Sequence, residues 1–229
     1  MCEANIERFN QIVAGQHFPP IGALHILKGN LLLEFGLLQE AEQALTEGLD
    51  LVRWIGESVA PKKGYTALAR LRAIQGDRLA AMEAVKALEE SWPEGSLYAQ
   101  SLRHRLLMRH WPEDPEVRKE AQVWLAQPEI GFDQLATIAG VDPLSTSIFE
   151  YQINAVHVLA RLPKGEPGPF TVEGLHAGLN HVQEFSASHG FVGWLAEIAI
   201  ARILLDQAAG KKAEALETLE AAVRATANT

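Results

Sequence analysis

The chain is poor in the residues that most chemistries depend on. Cys2 is the one cysteine among 229 residues, so an internal disulfide is impossible, and a reducing cytoplasm is the expected location. No apolar run approaches the eighteen or so residues that a membrane-spanning helix needs. The N-terminus shows no basic stretch followed by an apolar one, the pattern of a secretory leader. Lysine and arginine number 20 against 29 aspartates and glutamates, a formal net charge of −9. Nucleic-acid binding rests on neutralising phosphates with basic side chains, so this balance argues against it. Alternating apolar and polar residues, the mark of a half-buried strand, are equally scarce.

What remains is a chain that is 48% hydrophobic, long enough to bury a sizeable core, and patterned at the helical period. It reads as all-α. After Gly36 the small or apolar positions are Ala41, Leu45, Gly48 and Val52, which trace one helix face. After Gly76 the same stripe reads Ala81, Val85, Leu88 and Trp92, and after Gly210 it reads Ala215, Leu219 and Ala222. Each of these glycines stands five residues before the alanine. The pattern predicts a helix that ends on a left-handed glycine, a short turn, and a second helix, with Asp77 as an N-cap.

Ala41 to Ala81 is a step of 40 residues, as are Ala81 to Ala121 and Leu175 to Ala215. The step from Ala121 to Leu175 is 54, and its surplus of 14 is absorbed by an insertion at 128–143. Five hairpins are therefore expected in a single helical-repeat domain over 1–229, at about 20–56, 61–92, 94–127, 144–190 and 191–227. Hairpins of this kind cannot bury their apolar faces alone, so stacking into a right-handed superhelix with a concave face is expected. Pro19-Pro20, Pro61, Trp92-Pro93, Trp111-Pro112 and the stretch from Pro163 to Pro169 punctuate the helices.

Gly29, Gly36, Ala41, Leu45 and Gly48 resemble the eighth, fifteenth, twentieth, twenty-fourth and twenty-seventh positions of a tetratricopeptide repeat. His25 and Leu32 replace its usual aromatics, and the period is longer than the repeat's own. A likeness covering nearly the whole chain is carried by GNLLLEFGLLQEAEQALTEGLDLVRWIGE, GYTALARLRAIQGD, IFEYQINAVHVLARL and GWLAEIAIARILLDQAAGKKAEALETLEAAV. Their order resembles the helical-repeat sensor domain of large ATP-dependent LuxR-type transcription activators of the maltose-operon-activator type. The resemblance implies an upstream ATPase of the STAND class and a downstream DNA-binding helix-turn-helix. The sequence has no G-x-x-x-x-G-K-[ST] phosphate loop, so ATP is expected only in a separate upstream domain, and this chain is expected to be a piece of such a regulator.

Catalytic chemistry finds no obvious place. His104 and His110, His176 and His181, and His181 and His189 lack zinc-ligand spacing. No G-x-S-x-G nucleophile turn occurs, and the neighbours Glu89 and Glu90 point apart on one helix. No metal, no cofactor and no enzymatic activity are expected. Arg105 and Arg109 share a helix face. They point either to an anionic ligand or nucleotide-domain contact, or to pairing with acidic residues on adjacent helices. Trp54, Trp92, Trp124 and Trp194 fall on or beside apolar stripes and are expected in the core.

The first helix of each hairpin should line the concave face. Candidate binding residues there are His25, Asn30 and Glu34, then Tyr65 and Arg72, then Tyr98 and Arg105, then Glu150, Tyr151 and Asn154. Aromatic faces beside forked or amide donors suit a sugar-like or peptide ligand. The expected function is regulatory: an inducer or partner protein binds the concave face, with no direct nucleic-acid or membrane contact. The alternative is a stand-alone tetratricopeptide-like scaffold for a peptide or protein partner.

Overall fold

The computed structural model describes residues 19–52, 59–93, 96–127, 143–162 and 172–227. These form ten helices and no strand: α1 (Pro19–Glu34), α2 (Leu38–Val52), α3 (Val59–Ile74), α4 (Arg78–Ser91), α5 (Ser96–His110), α6 (Pro115–Leu125), α7 (Pro143–Leu159), α8 (Val172–His189), α9 (Val192–Ala208) and α10 (Lys212–Ala227). The fold is all-α. No helix among the described residues is long and apolar enough to cross a membrane. Apart from Pro143, the 128–143 segment lies outside the described residues, as does Trp54.

Hydrogen bonding explains the five-residue offset between glycine and alanine. Gly36, Gly76 and Gly210 have φ of 73°, 80° and 81°, the left-handed region that other residues enter at a cost. At each, the glycine N–H donates to the carbonyl three residues back, and the next residue's N–H donates to the carbonyl five back. The pairs are Gly36 to Leu33 with Leu37 to Leu32, Gly76 to Ala73 with Asp77 to Arg72, and Gly210 to Gln207 with Lys211 to Asp206. This is the Schellman arrangement, which satisfies the carbonyls left over at a helix end. The residue after the glycine then serves as N-cap of the next helix. Its carbonyl accepts the first helical bond, from Ala41, Ala81 or Ala215 respectively. The Asp77 carboxylate also accepts from the Ala80 N–H at 2.9 Å, as its N-cap position predicts.

A fourth turn of this type lacks the alanine. Gly190 has φ 72°, Phe191 donates to the Ser186 carbonyl, and Leu195 donates back to Phe191. It joins α8 to α9. The α5–α6 turn uses a different device, with the Asp114 carboxylate accepting from the Glu116 N–H and Pro115 opening α6.

The chain divides into two compact units, Met1–Arg103 and His104–Thr229. In the first, α1 packs on α2, α2 on α3, and α1 on α3, which is how one hairpin receives the first helix of the next. Glycine makes the approach possible. A Cβ built on Gly22 would lie 2.8 Å from the Gly48 carbonyl oxygen, and one on Gly48 would lie 2.8 Å from that of Gly22. A Cβ on Gly29 would meet Leu45 Cγ at 2.6 Å, and one on Gly64 would meet Leu49 Cδ2 at 2.7 Å. Around this seam Ile26, Leu33, Leu45, Leu49, Val52 and Leu71 form a buried core. Full burial of each such side chain stabilises by about 1.5–3 kcal/mol.

In the second unit, α7 packs on α8 and α9, and α8 on α9, with α6 against α7 and α10 against α9. The core is Phe149, Ile153, Val156, Leu175, Leu179, Val182, Ile198 and Leu205, with Trp194 packed on it. Trp124 is buried too. The stripe at Leu175, Leu179 and Val182 is therefore internal. The corresponding stripe on α10 is not: Ala215 is buried, but Leu219 is 45% exposed and Leu216 56%. Among the described residues α10 has α9 as its close helix neighbour, so one side of it faces outward.

Two substitutions separate the roles of the glycines. Gly29→Leu is expected to destabilise by about 1–3 kcal/mol through overpacking. Gly36→Ala has open space around its Cβ and is expected to lose about 1–2 kcal/mol through backbone strain alone. Urea denaturation of both variants measures the difference, and an unchanged midpoint for Gly29→Leu would refute the close-crossing role.

Candidate functional site

Most of the candidate residues on α1 and α3 are tied to neighbouring helices. His25 on α1 places Nδ1 3.2 Å from the Glu47 carboxylate on α2. Burial lowers its pKa, and this outweighs the opposing pull of Glu47. Asn30 donates to the Ile26 carbonyl of its own helix. Glu34 pairs with Arg70 at 2.8 Å, and Arg72 with Glu42 at 2.7 Å. Glu42 is held below the ordinary carboxylate range by a hydrogen bond from Gln75 and by Arg72, against the opposing effect of burial. Tyr65 packs half-buried against the first core.

Tyr98, at the start of α5, is buried, with its hydroxyl 3.2 Å from Thr66 Oγ1. The Lys62 ammonium lies 4.5 Å from its ring centroid and 4.7 Å from that of Trp92. The cation thus rests against two aromatic faces.

The second unit draws its candidates together. Arg105, on the last two turns of α5, donates from Nη1 to Asn154 Oδ1 on α7 at 3.0 Å. Its Nη2 donates to Glu197 Oε2 on α9 at 2.6 Å. Asn154 is buried, as is His157 one turn further along α7. Tyr151 is buried as well, with its ring edge-on to Trp124 at 5.9 Å, and Trp124 in turn stacks on His104 at 4.7 Å. Glu150 is half-buried. Of the ten candidates, Arg105 and Asn154 are hydrogen-bonded to each other. The pairing of Arg105 with an acidic residue on another helix answers one of the two alternatives open for it.

Three members of this network went unmarked in the sequence: His157, Arg161 and Glu197. Arg161 Nη1 donates to the His157 carbonyl at 2.8 Å and lies 3.3 Å from His157 Nδ1. A guanidinium only donates, so Nδ1 accepts and the imidazole proton is assigned to Nε2. That nitrogen points at Glu197 Oε2 from 3.6 Å, beyond a good hydrogen bond.

Burial pushes the His157 pKa down to about 4, with Glu197 opposing and Arg105 and Arg161 assisting. The imidazole is therefore neutral at pH 7. For Glu197 burial pushes the other way, but His157 and Arg105 prevail and hold its carboxyl at about 2. The result is an ionised carboxylate held between a guanidinium and a neutral imidazole, on helices from both ends of the unit.

A second polar cluster joins α8 to α9. Buried Asp206 accepts from His176 Nε2 at 2.9 Å, and Arg202 reaches Asn180, Gln183 and His176. These bonds run across the helix pair, and among the described residues Arg202 Nε is left buried without a hydrogen-bond partner. Among the described residues no three histidine, cysteine, aspartate or glutamate side chains converge as metal ligands.

The two shifted groups give a signed pH dependence. Both pKa values are depressed in the fold, so each contribution is complete above the ordinary value and disappears on acidification. For His157 the loss runs from pH 6.5 down to about 4, and for Glu197 from 4.5 down to about 2. Denaturation between pH 7 and 4 should show falling stability, with a shallower slope in His157→Gln. An identical slope in the variant would refute a buried neutral imidazole.

Compared with family models, with curated proteins and with solved structures, the chain matches none.

Proposed function

We infer that the chain is a regulatory sensor module: a set of helical hairpins that binds an inducer or a partner protein through the first helices of its hairpins. The observation that supports this reading most is the Arg105–Asn154–Glu197–His157 network. It brings charge and amide groups from α5, α7 and α9 to one place. A ligand shifts an equilibrium only by binding one arrangement better than another. The one loose contact of the network, the 3.6 Å approach of His157 to Glu197, supports this reading as a place where a bound ligand would favour a tighter pairing.

The resemblance to ATP-dependent LuxR-type activators gives this module its place. In such a regulator, ATP turnover and DNA binding belong to attached domains in the cytoplasm, and this segment carries neither. The chain itself is assigned no catalytic step and no cofactor.

A second reading, a tetratricopeptide-like scaffold for a peptide, is favoured by a different observation. Leu27, Leu31 and Phe35 are 50%, 47% and 78% exposed at four-residue steps along α1 and its C-terminal turn. Such a row suits the apolar face of a partner helix.

A thermal-shift screen of sugars, nucleotides and small metabolites separates the readings. The sensor reading expects a saturable rise in melting temperature with one compound class, weakened at least about tenfold in Arg105→Gln. It also expects that variant to keep native helicity by circular dichroism. No shift with any compound, or the same shift in the variant, would overturn it.

A further inference from the structure

Counted from the left-handed glycines, the first helices of three hairpins share one register. Ala67 and Leu71 on α3 stand nine and five residues before Gly76. Ala201 and Leu205 on α9 stand at the same distances before Gly210, and Leu27 and Leu31 on α1 before Gly36. The first two pairs are buried, with Leu205 the most exposed of them at 4%. Ala67 and Leu71 belong to the core built on α1 and α2, and Ala201 and Leu205 to the one built on α7 and α8. This face is therefore the one by which a first helix docks on the hairpin before it. On α1 the same face is open, with Leu27 50% and Leu31 47% exposed.

The last hairpin shows the converse. Ile26, ten residues before Gly36, and Leu49, thirteen after it, receive α3. A Cβ built on Gly64 would lie 3.1 Å from Ile26 Cδ1 and 2.7 Å from Leu49 Cδ2. Ile26 and Leu49 are 2% and 7% exposed. Ile200 on α9 and Val223 on α10 hold these two positions about Gly210. They are 45% and 58% exposed. Helical arrays usually close on polar faces, whereas this chain carries an apolar incoming face on its first hairpin and an apolar receiving face on its last.

We propose that copies of this chain associate head to tail, with α1 of one docking on the α9–α10 hairpin of the next as α3 docks on α1 and α2. Leu27 and Leu31 then meet Ile200 and Val223, and each gains the burial that its counterparts have. A second copy is the occupant because the chain carries both halves of a seam that its first two hairpins already form. Bulk is matched as well. Leu24 stands where α3 has Gly64, and Val223 where α2 has Leu49, so volume lost on the receiving side returns on the incoming one. The two patches differ, which makes the contact heterologous, and each added copy brings a fresh face. This rests on the scaffold reading of the α1 row and names its occupant, and no residue of the Arg105 network takes part.

Sedimentation velocity over a concentration series tests the proposal on the parent chain and on Leu31→Glu and Val223→Glu. A carboxylate at either exposed position blocks one patch, and circular dichroism checks that helicity is native. Leu27→Lys and Ile200→Lys repeat the test at separate positions. The mean mass of the parent is expected to rise with concentration. Each variant alone is expected to stay monomeric, since one half of every contact is missing. An equimolar mixture of Leu31→Glu and Val223→Glu is expected to form one-to-one dimers and nothing larger, because a single intact pair of patches remains.

A parent that stays monomeric, or variants that associate as the parent does, overturns the proposal. Loss of association in only one variant, with no dimer in the mixture, assigns a like-to-like contact and overturns it too. The scaffold reading, which needs only a foreign helix on the α1 row, survives a monomeric parent.

Discussion

A helix that must reverse direction within two residues has few ways to do so, and the hairpins depend on one of them. The glycine at the helix end takes a left-handed conformation, its own N–H and that of the next residue close on the preceding turn, and the next residue opens the following helix. Everything else in the first unit follows from that reversal. Once α1 and α2 run back to back, their facing positions must be small. Gly22 and Gly48 meet backbone to backbone, and Leu45 fills the space over Gly29. The small-residue face and the left-handed turn are thus one design, since neither gives a tight hairpin without the other.

The second unit holds its helices by different means. Its core is mainly aliphatic but carries an aromatic cluster, with Phe149 packed against Phe185 at 4.8 Å and Trp194 at 6.0 Å. Buried polar groups are threaded through it. Such groups are costly unless paired, and here the pairing runs between helices far apart in sequence. Arg105, Asn154 and Glu197 satisfy one another, and Asp206 is satisfied by His176. A polar network of this kind fixes which helices meet and adds little net stability. The first unit relies on steric fit at glycine, the second on polar matching.

These differences decide how much was legible in the sequence. The turns at Gly36, Gly76 and Gly210 were readable because each is specified within six consecutive residues. Gly190, the expected boundary between the fourth and fifth hairpins, was not grouped with these turns because Leu195 stands where the others have alanine, although the glycine five residues earlier is the same signal. Arg105 and Asn154 were singled out from residue type and helix position. Their partner Glu197 was not, because 92 residues separate it from Arg105 and one sequence carries no mark of that pairing. His157 and Arg161 follow Asn154 at three and seven residues. That face could have been read as one polar stripe. What hid it was the run of valine and leucine around it, which reads as core. The exposed side of α10 escaped for a related reason: periodicity reports which face is apolar and is silent on whether a neighbour covers it.

The locality of the turn bonds also bears on the order of events as the chain folds. Each reversal is closed by hydrogen bonds spanning three to five residues, so loop-closure entropy scarcely opposes it. Helix pairs can therefore form wherever a left-handed glycine stands, at several points along the chain at once. The contact between Arg105 and Glu197 closes a far longer loop, and it can be made only after α5, α7 and α9 exist to present their side chains. The polar network is accordingly a late acquisition of the folding chain. In the finished protein it is also the part whose rearrangement leaves the hairpins themselves intact.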